Sequence, residues 1–208
     1  IQSTEKKDPV HLYSQFYIDK KEARYNEIKY TLKKNVGNNA ISHIYLLNER
    51  RYTKEELGVN SDKIHQIIIG HRLNYEDFFK YSRGHKGYLI FANSDIYFDE
   101  TIQNLYFSGI DHTKIAYCII RHEDDGALHY DKTSFVVEDN RQKELKWDLS
   151  KFIYNNILFC TEHSSDAWII HSNFNKDIRD MNITLGEAGC DNRFHYELLK
   201  NKFKLIAQ

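Results

Sequence analysis

Apolar residues fall along this chain in short runs, separated by segments whose apolar positions recur with helical spacing. Val10-His11-Leu12-Tyr13-Ser14-Gln15-Phe16-Tyr17 is dense in β-branched and aromatic residues and predicts a strand. Ile41 to Leu47, Ile64 to Ile69, Gly87 to Ala92 and Ile115 to Ile120 predict four more. Between the first two, Ile28, Leu32 and Val36 share one helical face. Asp19 and Glu22 mark the start of that helix, near the positive end of its dipole, and Gly37 stands where a C-terminal cap is expected. Asn74 is placed to cap a short helix carrying Tyr75, Phe78, Phe79 and Tyr81, and Asp99 to Tyr106 predicts another. Near-continuous apolar strands joined by helical crossovers predict an α/β domain with an open, mostly parallel central sheet and helices on both faces.

The second half is less regular. Residues 122–148 are polar and charged and read as an excursion within one domain spanning 1–208, with 1–8 expected to be disordered or trimmed. Apolar strands resume at Phe152 to Cys160 and Ala167 to Ile170. A last helix is expected from Asp191 through Phe194, Leu198 and Leu199, and Phe203 to Ile206 is expected to close the sheet.

Composition narrows the function classes. With 29 Lys and Arg against 30 Asp and Glu, the net charge of −1 lacks the basic excess of a general nucleic-acid binder. The 15 Tyr and 12 Phe supply a sizeable core, which excludes a disordered chain. Cys118, Cys160 and Cys190 form no Cys-x-x-Cys pair and suit a reducing compartment, so a cytoplasmic location is expected, the host cytoplasm if the protein is viral. No run approaches the ~18 apolar residues of a membrane span. His43 and His65 fall inside strands and read as packed or edge residues.

In an open parallel sheet, ligands bind beyond the carboxyl ends of the strands. Tyr17 and Asp19, then Gly70-His71-Arg72, then Asn93-Ser94-Asp95, then Arg121-His122 fall at four such ends. That mixture of carboxylate, guanidinium and amide suits an anionic ligand, with or without a divalent cation. Asp95 could hold Mg²⁺ or Mn²⁺ against a diphosphate, or could cap the next turn. In Gly186-Glu187-Ala188-Gly189-Cys190-Asp191, glycines deliver Asp191 to a helix start, either as a base for deprotonating a hydroxyl or as a plain N-cap. Cys190 reads as structural. In Ser165-Asp166-Ala167-Trp168, Asp166 reads as lining and Trp168 as core.

Together these segments resemble the GT-A superfamily of nucleotide-sugar glycosyltransferases, in the single-domain form of viral and bacterial members. Tyr17 to Leu32 is similar to the first strand–helix unit. Asn93-Ser94-Asp95 stands where the family has its Asp-x-Asp signature. Ser165 to Trp168 resembles the acceptor-side strand, and Cys190-Asp191 the Glu-Asp pair whose Asp is the base in inverting members. The similarity spans roughly residues 9 to 206. It implies transfer from a UDP- or GDP-sugar to a glycan or glycoprotein hydroxyl with inversion. Asp191 and Asp166 would then be catalytic, and Tyr17, Arg72, Asn93, Ser94, Asp95 and Arg121 would bind the donor. Mn²⁺ or Mg²⁺ would sit on Asp95. Asn93 departs from the signature and leaves one carboxylate in the triplet, so His163, His195 or an acid of His122-Glu123-Asp124-Asp125 would have to complete a metal site.

Three other classes fit parts of the pattern. A sugar nucleotidyltransferase shares the layering, but Tyr17-Ile18-Asp19-Lys20-Lys21-Glu22 lacks the glycines such enzymes use after the first strand. A metal-dependent nuclease would draw on Asp95 and the 122–125 cluster, which otherwise reads as a solvated loop. An inactive nucleotide-sugar-binding module would account for Asn93.

Overall fold

The computed structural model describes residues 7–119, 122–123, 131–133, 143–144, 165–174 and 178–207. Strand β1 (Val10–Ser14) leads into helix α1 (Glu22–Gly37), then β2 (His43–Asn48), the single turn α2 (Lys54–Leu57) and β3 (Ile64–Ile68). Helix α3 (Tyr75–Ser82) precedes β4 (Tyr88–Ala92) and the short β5 (Ile96–Phe98). A 3₁₀ segment, Glu100–Phe107, leads toward β6 (Ile115–Ile119). The remaining elements are β7 (His122–Glu123), β8 (Asp131–Thr133), β9 (Lys143–Glu144), β10 (Ala167–His171), α4 (Cys190–Lys200) and β11 (Lys204–Ala207).

Among the described residues the main sheet runs β3-β2-β1-β4-β10-β6-β11-β9, and β5-β8-β7 form a small second sheet. The pairs β3–β2, β2–β1, β1–β4 and β6–β11 are parallel. Strand β10 lies between β4 and β6, antiparallel to both. The expected mostly parallel α/β sheet is present, with β10 reversed at its centre and β9 antiparallel to β11 at its edge. One face packs Leu12, Ile44 and Ile90 against Ile28 and Leu32 of α1. The other packs Tyr13, Leu89 and Phe91 against Phe78 of α3 and Phe194 of α4. Burying these apolar side chains contributes about 25 cal/mol per Å² of apolar surface.

Several local expectations shift. Asn74 caps α3 as predicted, in a reciprocal box with Asp77. Gly37 is the last residue of α1 and not its cap; that position belongs to Asn38. Asp19 does not cap α1 either, and its carboxylate accepts from the Lys21 N–H two residues on. The predicted helix over Asp99 to Tyr106 is a 3₁₀ segment with Asp99 as its N-cap. Asp8, expected in a disordered or trimmed start, is held by His171 Nε2 at 3.0 Å. The strand expected at Phe152 to Cys160 lies outside the described residues. Among the described residues no helix is long and apolar enough to cross a membrane.

His43 and His65 do pack within strands, and they join a wider ring cluster. His43 Nδ1 and His65 Nε2 are 3.2 Å apart. His11 stacks between His43 and His85, with ring centroids 5.3 Å from each. Burial lowers the His11 pKa from 6.5 to about 4; its N–H bond to the Lys86 carbonyl opposes this, and the neighbouring imidazoles add to the lowering. Burial also lowers His65 and His85. Unfolded chains take up the proton first, so this stability is complete above pH 6.5 and is lost as pH falls through about 4. Melting temperature should therefore drop across that interval, and less steeply in His11→Phe. Parallel profiles for the two proteins would show that His11 titrates as it does in the unfolded chain.

Candidate active site

The carboxyl ends of β1, β2 and β3 are tied together by one side chain. Gln15 Nε2 donates to the Leu47 and His71 carbonyls at 2.9 and 3.1 Å, and its Oε1 accepts from the Leu73 N–H. Asn48 at the end of β2 accepts from the Phe16 N–H at 2.8 Å. The segment after β4 is held by a polar seam on α1. Thr31 donates to the Ser94 carbonyl at 2.9 Å. Asn35 donates to the Ile96 carbonyl and accepts from the Phe98 N–H, and Asn38 donates to the Phe98 and Asp99 carbonyls. These bonds fix where Asn93-Ser94-Asp95 leaves the sheet.

Reversal of β10 then acquires a purpose. Its amino end meets the carboxyl ends of β4 and β6, with Ala167 opposite Ala92 and Ile119. Asp166 therefore lands beside Asn93, whose N–H donates to the Asp166 carbonyl at 3.0 Å and whose Nδ2 donates to Asp166 Oδ1 at 3.2 Å. Tyr17, Arg72, Asn93, Ser94, Asp95 and Asp166 all line one open cleft of about 170 Å³. Six of the eight residues expected from the sequence thus share a site. Arg121 and His163 lie outside the described residues. A larger groove of about 930 Å³ runs past Tyr30, Asn39 and Tyr97, toward the amino end of β2 and away from this rim.

Arg24, from the first turn of α1, also lines the cleft and was not expected there. Its Nη1 lies 2.9 Å from Asp95 Oδ2 and 2.6 Å from Glu27 Oε2, and its Nε donates to the Tyr17 hydroxyl at 3.4 Å. Burial would lower the Arg24 pKa, but Asp95, Tyr17 and Glu27 more than offset it and hold the guanidinium charged. Asp95 is nearly buried, with 8% of its side chain exposed. One of its two carboxylate oxygens, Oδ2, is therefore committed to the Arg24 guanidinium. A divalent ion bound at ~2.1 Å from Asp95 Oδ2 would sit within ~5 Å of the guanidinium. At an effective dielectric near 20, that juxtaposition costs roughly 7 kcal/mol. Asn93 brings an amide that is already donating to Asp166. His195, the expected reserve ligand, is fully buried and accepts the Trp168 indole N–H at 2.9 Å. Among the described residues, no group of three or more His, Cys, Asp or Glu could hold a metal ion. Among the described residues the donors around Asp95 do not by themselves fit Mn²⁺ or Mg²⁺, and His163 and the acids of the 122–125 run lie outside the described side chains.

Asp191 stands one step behind the cleft lining. Gly189, with φ +75°, is the N-cap of α4, so the plain N-cap role does not fall to Asp191. One carboxylate oxygen accepts from the Asn192 N–H at 2.9 Å and the other from the Ser165 N–H at 3.3 Å, next to Asp166. Asp166 and Asp191 both face Tyr75, whose hydroxyl is pushed well up by burial, by Cys190 and by these two carboxylates. Trp168 is core, as read from the sequence, and stands edge-on to Tyr75 and Phe194 with centroids 5.2 Å from each. Arg72 is positioned by Gly186: a Cβ there would come within 2.2 Å of the Arg72 Nη2, and φ of +77° suits glycine.

No protein-family model matches the chain, and no curated protein matches it in sequence. Solved structures do match in fold. CMP:2-keto-3-deoxy-manno-octonic acid synthetase complexed with CTP superposes with a TM-score of 0.51 at 7% identity, over 97% of this chain and 89% of that one. S. aureus TarS 1-349 gives 0.54 at 11% identity, over 96% of this chain and 58% of that one. A Desulfovibrio desulfuricans G20 protein assigned as a nucleotide-diphospho-sugar transferase gives 0.50 at 9% identity, over 97% and 80%. The chain shares the α/β fold of these structures, which is the fold that the sequence resemblance implied.

Proposed function

We propose that this chain is a glycosyltransferase that moves a sugar from a nucleoside-diphosphate sugar to a hydroxyl of a glycan or glycoprotein. The observation that carries the reading is the convergence of Tyr17, Arg72, Asn93 to Asp95 and Asp166 on one cleft at the carboxyl rim, with Asp191 tethered beside Asp166. In this reading the donor's base lies near Tyr17 and Arg72, and Asn93 meets the ribose. The acceptor oxygen attacks the anomeric carbon, the bond from that carbon to the diphosphate breaks, and the nucleoside diphosphate departs. Asp191 takes the acceptor's proton, and the configuration inverts. Lys20 and Lys21, the features that would favour a nucleotidyltransferase, are exposed and do not line the cleft.

Product analysis tests this. The chain is incubated with UDP- and GDP-sugars, with and without glycan acceptors. Release of UDP or GDP that accelerates with acceptor is the expected result. Release of inorganic diphosphate from a nucleoside triphosphate and a sugar 1-phosphate would instead make the chain a nucleotidyltransferase.

A further inference from the structure

Resting on the glycosyl-donor reading, we propose that the cations facing the donor's diphosphate are the guanidinium groups of Arg24 and Arg72, and that this chain binds nucleoside diphosphates without a divalent metal. Arg24 occupies the Oδ2 side of Asp95, where a metal bound to that oxygen would have to sit. Its Nη1 is committed to Asp95 and Glu27 and its Nε to Tyr17. Among the described residues this leaves the two N–H groups of Nη2 for a ligand, on a guanidinium whose orientation is already fixed. A planar fork held this way matches phosphate oxygens in pairs. Arg72 complements it across the cleft: it is exposed, lies against the Gly186 backbone, and forms no ion pair with a described residue. A cation without an ion-pair partner among the described residues, lining the same cleft as a pinned one, suits a dianionic group.

Asp95 then has a role other than holding a metal. It is a positioning residue, holding the Arg24 guanidinium toward the cleft. Asn93, holding Asp166 through its amide, needs no charge for that.

Isothermal titration of the full chain with UDP, GDP and CDP, first in EDTA and then with Mn²⁺, tests the proposal. At least one nucleotide should bind in EDTA with an affinity that Mn²⁺ changes by less than about threefold. Arg72→Ala should weaken that metal-free binding roughly 10–100-fold, the usual worth of a hydrogen bond to a charged group. Arg24→Ala should weaken it similarly and make the residual binding respond to Mn²⁺, because Asp95 is released. Should Arg24→Ala fail to fold, Arg24→Lys keeps the charge without the fork and should bind metal-free with intermediate affinity. A nucleotide that binds only when Mn²⁺ is present overturns the proposal and leaves the donor reading intact. Failure of all three nucleotides under both conditions overturns the two together.

Discussion

Changing Asp191 to Asn should cut sugar transfer by about 10²–10⁴-fold, the usual contribution of a positioned general base. The side chain's surroundings make the substitution informative. Asp191 accepts two backbone N–H groups, from Asn192 and Ser165, which aim its carboxylate at the Asp166 side of the cleft. An amide oxygen can keep one of those bonds, and losing the other costs the fold about 1–3 kcal/mol. The amide cannot accept the acceptor's proton. Nucleotide affinity, which the proposal assigns to Arg24, Arg72 and Asn93, should stay within a few-fold of the parent. Steady-state transfer, nucleotide titration and a thermal melt on the same preparation separate these effects. Transfer at the parental rate would remove Asp191 from the chemistry.

The largest effect on stability is expected at Trp168. Its side chain is 1% exposed, lies in the reversed strand β10, and meets Tyr75, Phe194 and His195 at once. The indole N–H donates to His195 Nε2 at 2.9 Å. Trp168→Ala removes the largest fully buried side chain among the described residues and deprives His195 Nε2 of its donor. Cavity formation alone should cost about 3–5 kcal/mol, a large share of a typical 5–15 kcal/mol total. In a chain of this size that corresponds to roughly 6–20 °C in melting temperature. Because β10 also delivers Asp166 to the cleft, transfer should fall with it. A melting temperature within about 2 °C of the parent would mean that the wall of β10, α3 and α4 is packed differently.

Much of the architecture was legible as pattern. Runs of apolar residues separated by helical spacing specify strands with crossovers, and the parallel order of β1 to β4 follows. The direction of β10 was not legible, because Ala167 to Ile170 is apolar throughout and reads the same either way along a buried strand. Asp166 was nevertheless placed correctly as lining, and reversal of the strand supplies the physical reason. The polar seam of Thr31, Asn35 and Asn38 is masked in the sequence by the stronger apolar stripe of Ile28, Leu32 and Val36. The signal was present, since polar residues spaced by four and three ran alongside the apolar stripe, and Asn35 is buried among it. Arg24 leaves a subtler trace. A cation in the first turn of a helix opposes the dipole, so its presence there calls for a carboxylate partner. The distance between Arg24 and Asp95, 71 positions along the chain, hides that partner from any local motif.

The account stands most directly on where a donor nucleotide sits. A crystal structure with the nucleoside diphosphate selected by titration should place the diphosphate between Arg24 and Arg72, with Asn93 at the ribose and the open side facing Asp166 and Asp191. Finding the nucleotide in the groove beside Tyr30 and Tyr97, or with its diphosphate turned away from both arginines, would contradict it.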